Sequence, residues 1–312
     1  MEKGDKLSEF IKQKALALGF DMCGIARSRA MTEVEPVLRK WCESGMNDTM
    51  KYLQRDINKR VDPGILFPEA RSVIVTGMNY YSVEGQKSPG VPLLSRYAYG
   101  SRYQDVIMEK LEQLLESVKA IYPQAEGKAV CDTAPMLEKR WAVEAGLGWQ
   151  GRHTIVINRK IGSFFFIGLL IMNLEMEYDK PLSRDYCGEC RLCIDGCPTG
   201  AINSNCTIDA RKCISNLTIE NRDPLKEEMI PFLGGRVYAC DKCQEVCPWN
   251  RFARQHNHPE FEISPELAEM TRDEWASLTE EKFNKLFSAT PVGRVKFERF
   301  KSNIAAVLKS LV

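Results

Sequence analysis

Cys187, Cys190, Cys193 and Cys197 form a C-x2-C-x2-C-x3-C run closed by Pro198, and Cys240, Cys243 and Cys247 form C-x2-C-x3-C closed by Pro248. Thiolates at these spacings wrap [4Fe–4S] clusters: a close triplet holds three corners of a cube, and the fourth ligand comes from elsewhere. Where two such runs occur, the cysteine before proline ligates the other cluster. Applied here, Cys187, Cys190 and Cys193 take Cys247, while Cys240 and Cys243 take Cys197. The second set then lacks one thiolate, and spacing leaves both Cys206 and Cys213 open. Paired C-x2-C motifs also build four-cysteine zinc sites; the Cys-Pro endings and the full spacing argue against that alternative. Cys23, Cys42 and Cys131 stand apart and read as small buried hydrophobes.

Two adjacent clusters pass electrons one at a time, so the rest of the chain must hold the acceptor. The chain has 312 residues, 44% hydrophobic and 27% charged, with a formal net charge of +1. That length suits about two domains. The charge sets up no overall field toward nucleic acid or anionic membrane, although a local basic patch is compatible with a neutral sum. Residues 1–10 contain no apolar run of signal-peptide length. The longest apolar stretch, 161–174, is interrupted by Gly162, Ser163, Gly168 and Asn173, and a membrane helix needs about 20 apolar residues. A cytoplasmic protein with no membrane partner is expected. In a reducing compartment its twelve cysteines serve metal or redox use rather than disulfides. A monomer is the default expectation.

Leu7, Phe10, Ile11 and Leu18 predict a helix over 6–18 ended by Gly19. Residues 71–80 read as a buried strand, and Ile107, Leu111, Leu114, Leu115 and Val118 stripe a helix over 106–121. A third helix is expected from near Pro135 to the glycines Gly146 and Gly148. Residues 154–157 and 164–172 read as the two strands of a hairpin. The fold class is α+β. The expected division is a catalytic domain over 1–178, a ferredoxin-like two-cluster domain over 179–254 and a helical tail over 255–312. His256 and His258 fall in a polar loop and form no metal motif with the cysteines.

A more specific signal lies in Cys131-Asp132-Thr133-Ala134-Pro135, Arg140-Trp141-Ala142 and Ala145-Gly146-Leu147-Gly148-Trp149. It continues in Lys59-Arg60-Val61-Asp62-Pro63, Ser95-Arg96-Tyr97-Ala98-Tyr99-Gly100, Arg211-Lys212-Cys213-Ile214-Ser215 and Tyr238-Ala239-Cys240-Asp241-Lys242-Cys243-Gln244. Over nearly its whole length the chain closely resembles the epoxyqueuosine reductases, cobalamin-dependent iron–sulfur oxidoreductases of tRNA queuosine biosynthesis. The resemblance implies reduction of epoxyqueuosine to queuosine at the wobble position of tRNA. It implies cobalamin and two [4Fe–4S] clusters as cofactors, and an external low-potential electron donor as a partner. The implied fold is a cobalamin-binding domain like those of nitroreductases and reductive dehalogenases, joined to a ferredoxin-like module. Many members continue into a C-terminal helical-repeat domain, and this sequence ends at Val312, about where that domain would begin.

The resemblance also assigns residues. Cys213 becomes the eighth cluster ligand and Cys206 a spare thiol. Asp132 becomes the proton donor; on position alone it competes with a helix N-cap role, and as a donor it calls for a carboxyl raised by apolar burial. Arg60, Ser95, Asp132, Ser215 and Asp241 become cobalamin contacts, with Val156, Ile167 and Leu170 as backbone or packing contacts. Ser95 stands where some members have Cys. His153 receives no metal role, because the family binds cobalamin without a protein histidine. Anticodon-loop recognition by stacking and phosphate contacts makes Tyr97, Tyr99, Arg102, Tyr103, Trp249, Arg251 and Arg254 candidates. The competing readings are a cobalamin-dependent reductase of a small molecule and a non-catalytic iron–sulfur electron carrier.

Overall fold

The structure, a computed structural model, describes residues 3–311. Its central sheet has four antiparallel strands, β1 (Met22–Arg27), β2 (Ser72–Asn79), β3 (Gly127–Val130) and β4 (Phe165–Met172), in the order β1-β2-β4-β3. β2 and β4 pair over their full length, from Ser72 opposite Met172 to Asn79 opposite Phe165. Both are buried almost throughout, which suits strands covered on two faces.

Alternation along a strand sorts side chains to opposite faces. Ile74, Met78, Leu170 and Met172 join one core with helices α1 (Lys3–Ala17) and α2 (Tyr103–Lys119). Val73, Val75, Leu169 and Ile171 join another with Trp141 and Ala142 of α3 (Glu138–Glu144). The α+β class, β2 and the first two helices thus follow the sequence periodicity, and Gly19, at φ +94°, ends α1.

Two elements differ from expectation. The third helix starts at Glu138 rather than near Pro135, because the chain after β3 turns through a left-handed Asp132, at φ +55°. The expected hairpin is not formed either. Val156–Ile157 pairs with Trp149–Gln150, and only a bridge between Asn158 and Gly162 marks the turn toward β4. An eight-residue apolar strand is covered fully only in the middle of the sheet, and β2 and β3 claim it.

The helices at the C-terminal end share a core with chain that precedes the cysteine-rich segment and with chain inside it. Trp275, Phe283, Phe287, Phe300 and Ile304 pack with Val91 and Leu94, and with Ile214, Leu233, Val237 and Tyr238. Leu93–Leu94 also pairs in parallel with Arg236–Tyr238. The strand leading into Cys240 is therefore clamped from before and after it in sequence.

Candidate active site and cysteine centres

Cys187, Cys190, Cys193 and Cys247 line one cavity of about 90 Å³ together with His153, Tyr186 and Trp249. The short hairpin delivers Trp149, whose indole N–H donates to Cys187 Sγ at 3.4 Å. Burial pushes the Cys193 thiol up to about 11, and the neighbouring Cys187, Cys247 and Cys190 add to the rise. Thiols gathered in this way oppose one another's ionisation until a shared cation offsets the charge.

His153 forms part of the same wall and is 1% exposed. Its Nδ1 accepts the Ile155 N–H at 3.2 Å, and Nε2 has no partner among the described residues. Burial pushes it down to about 4, so the ring is neutral near pH 7.

The remaining cysteines of the two runs form a second group. Burial raises Cys243 well above its ordinary value, and Cys240, Cys213 and Cys197 raise it further. Of the two residues that spacing left open, the structure places Cys213 in this group and leaves Cys206 exposed. Cys213 precedes α4 (Ile214–Ile219), and burial raises its thiol while the Asn216 and Ser215 backbone N–H groups pull it back. Cys197 Sγ accepts the Ala201 N–H at 3.3 Å. Ala239 takes a left-handed φ of +58° and donates its N–H to Thr218 Oγ1 at 3.0 Å, which fixes the approach of Cys240. Among the described residues no three His, Cys, Asp or Glu side chains converge on a single ion-sized point; the thiols of the first set surround a wider space.

Asp132 stands in the loop between β3 and α3. Its N–H donates to Glu138 Oε1 at 2.5 Å, and its Oδ2 accepts from Tyr103 Oη at 2.9 Å and from Gln104 Nε2 at 3.4 Å. Tyr103 is held in turn by stacking on Phe166, with ring centroids 4.2 Å apart. Capping is not the role of this side chain: Leu137 occupies the N-cap of α3, and no side chain caps there. Asp132 is exposed in the chain rather than covered by apolar protein. The acid drawn further inward is the half-buried Glu138, which burial pushes up to about 8 against the pull of the Asp132 N–H.

Lys139 lies within charge range of both this loop and the second cysteine group. Burial pulls its ammonium down, while Glu138, Asp132, Cys243 and Cys213 hold it up. The side chain is nevertheless exposed. Tyr52, Tyr238 and Arg294 also feel the Asp132 charge, and Arg294 pairs with Glu220 at 2.7 Å.

The other candidates divide by place. Arg60 donates to the Tyr52 carbonyl at 3.0 Å and leaves Nε without a partner among the described residues, and the Ile167 carbonyl accepts from Cys131 Sγ at 3.4 Å, so both neighbour the Asp132 region. Ser95 Oγ donates to Asp241, and the pair borders a second cavity of about 270 Å³ that reaches Cys240. Burial pushes Asp241 up, and its bonds to Ser95 and the Arg96 N–H oppose this. Ser215 lies at the start of α4, while Val156 and Leu170 are packed into the protein. Among the aromatic and arginine candidates, Tyr103 touches Asp132, Tyr97 packs between Tyr103 and Tyr238, and Tyr99 belongs to the C-terminal core. Arg102 pairs with Asp105 at 3.5 Å, Trp249 lies at the first cysteine cavity with Arg251 beside Phe252 next to it, and Arg254 is exposed. The loop bearing His256 and His258 is not solvated: both rings are buried, and His258 Nε2 lies 2.9 Å from Asp21 Oδ2. Glu138, Lys139, Tyr52 and Arg294 carried no sequence signal, because distant segments bring them together.

A model described as "4Fe-4S double cluster binding domain" matches residues 186–250, and one described as "Epoxyqueuosine reductase QueG, DUF1730" matches residues 60–133. The chain is 41% identical over 304 residues to an epoxyqueuosine reductase of Cellulophaga algicola, covering 97% of this chain and 99% of that protein. It is 36% identical over 309 residues to the Escherichia coli K12 epoxyqueuosine reductase, covering 97% and 81%. A crystal structure of epoxyqueuosine reductase with an epoxyqueuosine-modified tRNA-Tyr stem loop superposes with a TM-score of 0.90 at 28% identity, over 98% of this chain and 82% of that one. A Bacillus subtilis epoxyqueuosine reductase, solved with its catalytic aspartate loop swung out of the active site, gives a TM-score of 0.89 at 27% identity, over 98% and 82%. A catabolic reductive dehalogenase shares the fold at a TM-score of 0.51 and 16% identity, over 99% of this chain and 38% of that one. With this identity sustained along nearly its whole length, the chain belongs to the epoxyqueuosine reductase family.

Proposed function

We propose that this protein reduces the epoxide of epoxyqueuosine in the anticodon loop of tRNA to the alkene of queuosine, using cobalamin and two [4Fe–4S] clusters. The observation that carries the reading is that Asp132, aimed by Tyr103 and Gln104, and the Cys213–Cys243 group both act on the charge of one side chain, Lys139, so a proton source stands within charge range of an electron source. Cys187, Cys190, Cys193 and Cys247 would hold one cluster; Cys197, Cys213, Cys240 and Cys243 would hold the other. An all-thiolate donor set in an enclosed wall, with Trp149 N–H already donating to Cys187 Sγ, suits a cluster. For cobalamin, the residues around Asp132 include Arg60, whose buried Nε has no partner among the described residues, a polar group in want of one. When bound there, cobalamin supplies a low-valent nucleophilic metal centre that one-electron clusters cannot provide.

Removing the epoxide oxygen as water takes two electrons and two protons. Asp132 delivers a proton to the departing oxygen. Tyr103 and Gln104 aim its carboxyl, and Glu138 anchors its backbone. Lys139 and Arg294 place positive charge near the developing oxyanion.

The test is anaerobic incubation of the reconstituted protein with cobalamin, a low-potential reductant and epoxyqueuosine-containing tRNA, read by nucleoside mass spectrometry. Queuosine is the expected product. No conversion with clusters and cobalamin in place would point instead to a small-molecule substrate or to electron carriage alone.

A further inference from the structure

We infer that an exposed arginine–aromatic strip beside the first cysteine cavity is the docking face for an acidic one-electron carrier protein, an inference that rests on Cys187, Cys190, Cys193 and Cys247 holding a cluster. Tyr186 and Trp249 line that cavity, with ring centroids 6.0 Å apart. Arg159 and Arg184 lie over the Tyr186 ring at 4.9 and 5.1 Å. Trp249 continues to Phe252 at 5.9 Å, and Arg251 lies over Phe252 at 4.6 Å. The three arginines are exposed, and none is among the ion-paired arginines of the described residues. Unpaired guanidinium groups around aromatic surface next to a redox centre complement a negatively charged partner.

RNA is also attracted to arginines and aromatics. Asp132, however, keeps company with Tyr103, Lys139 and the second cysteine group, and no residue of the strip is among its hydrogen-bond partners or the groups feeling its charge. A base presented to Asp132 therefore makes no demand on the strip. Electron entry does, because it requires close approach from outside to a thiol-bound cluster. In that step one electron leaves the carrier's reduced centre and enters the oxidised cluster; no atom or proton is exchanged. Charge complementarity of this kind speeds a brief encounter and makes it salt-sensitive.

The test uses the full chain with both clusters verified by iron content and electron paramagnetic resonance, and reduced flavodoxin as the probe carrier. The triple variant Arg159→Glu, Arg184→Glu, Arg251→Glu should slow cluster reduction by flavodoxin about tenfold or more at low ionic strength. It should also weaken binding of oxidised flavodoxin in calorimetry. Reduction by dithionite should keep its rate, and Lys40→Glu, on the exposed side of helix Glu35–Glu43, should behave as wild type. An unchanged flavodoxin rate in the triple variant would overturn the assignment, and a loss confined to tRNA affinity would give the strip to RNA. Full-length protein that binds no iron at Cys187, Cys190, Cys193 and Cys247 would remove the cluster reading beneath it.

Discussion

Asp132 meets its surroundings through a backbone bond to Glu138 and side-chain bonds from Tyr103 and Gln104, on a left-handed turn. A carboxyl held so firmly while exposed is suited to proton delivery. Asp132→Asn keeps the shape and both hydrogen-bonding positions but has no acidic proton to give. It should cut turnover by at least about 100-fold, the lower end of what a general acid contributes, with cobalamin and iron content unchanged; near-normal turnover would remove Asp132 from the chemistry. Glu138 makes a separate prediction. Its ordinary value of 4.5 rises to about 8 in the folded chain, so between those values the folded state holds more proton here than the unfolded state does. Its contribution to stability is full below about pH 4.5 and fades as pH rises through about 8. Glu138→Gln lacks this titration, so its Tm relative to wild type should climb across that window. A difference that stays flat with pH would mean Glu138 is not shifted. Nothing in the sequence marks Glu138; the Cys131–Pro135 motif exposed Asp132, but which groups aim it depends on where α2 and α3 land.

The turn between the short hairpin and β4 ties the sheet to the cysteine segment. Gly162 has φ +75°, and a Cβ there would meet Asn250 Oδ1 at 2.1 Å. That same Oδ1 accepts the Ser163 N–H at 2.7 Å, and the Asn250 N–H reaches back to the Cys247 carbonyl at 3.0 Å. Gly162→Ala combines left-handed strain with a displaced hydrogen bond, together about 2–3 kcal/mol. It should lower the Tm and reduce iron bound at the first cysteine set; wild-type iron content would show that this turn does not position Cys247. The cysteine runs were legible because a C-x2-C-x2-C spacing is local and survives ignorance of the fold. Strand partners were not: the apolar run 164–172 looks like the neighbour of 154–157 in sequence, yet its register partner is β2, about ninety residues earlier. Likewise spacing could not choose between Cys206 and Cys213, because the choice rests on how α4 packs.

Across the whole molecule the C-terminal helices bear on the chemistry by holding the strand that leads into Cys240. Their helical character could be read from the sequence, but their shared core with Leu94 and Tyr238 could not, since periodicity names a buried face and not its partner. Trp275 is fully buried in that core, and Trp275→Ala should cost about 3–5 kcal/mol. Iron at the second cysteine group should be lost in the same thermal transition. Retention of that iron while the C-terminal helices unfold would show them to be independent of the site. The most direct measurement compares wild type with Asp132→Asn in a single anaerobic turnover on epoxyqueuosine-containing tRNA, with iron and cobalamin content determined on the same samples and queuosine counted by mass spectrometry. Asp132 as the proton donor predicts queuosine from the wild type and at least about 100-fold slower formation from the equally loaded variant. Equal conversion by both, or none by a fully loaded wild type, would contradict it.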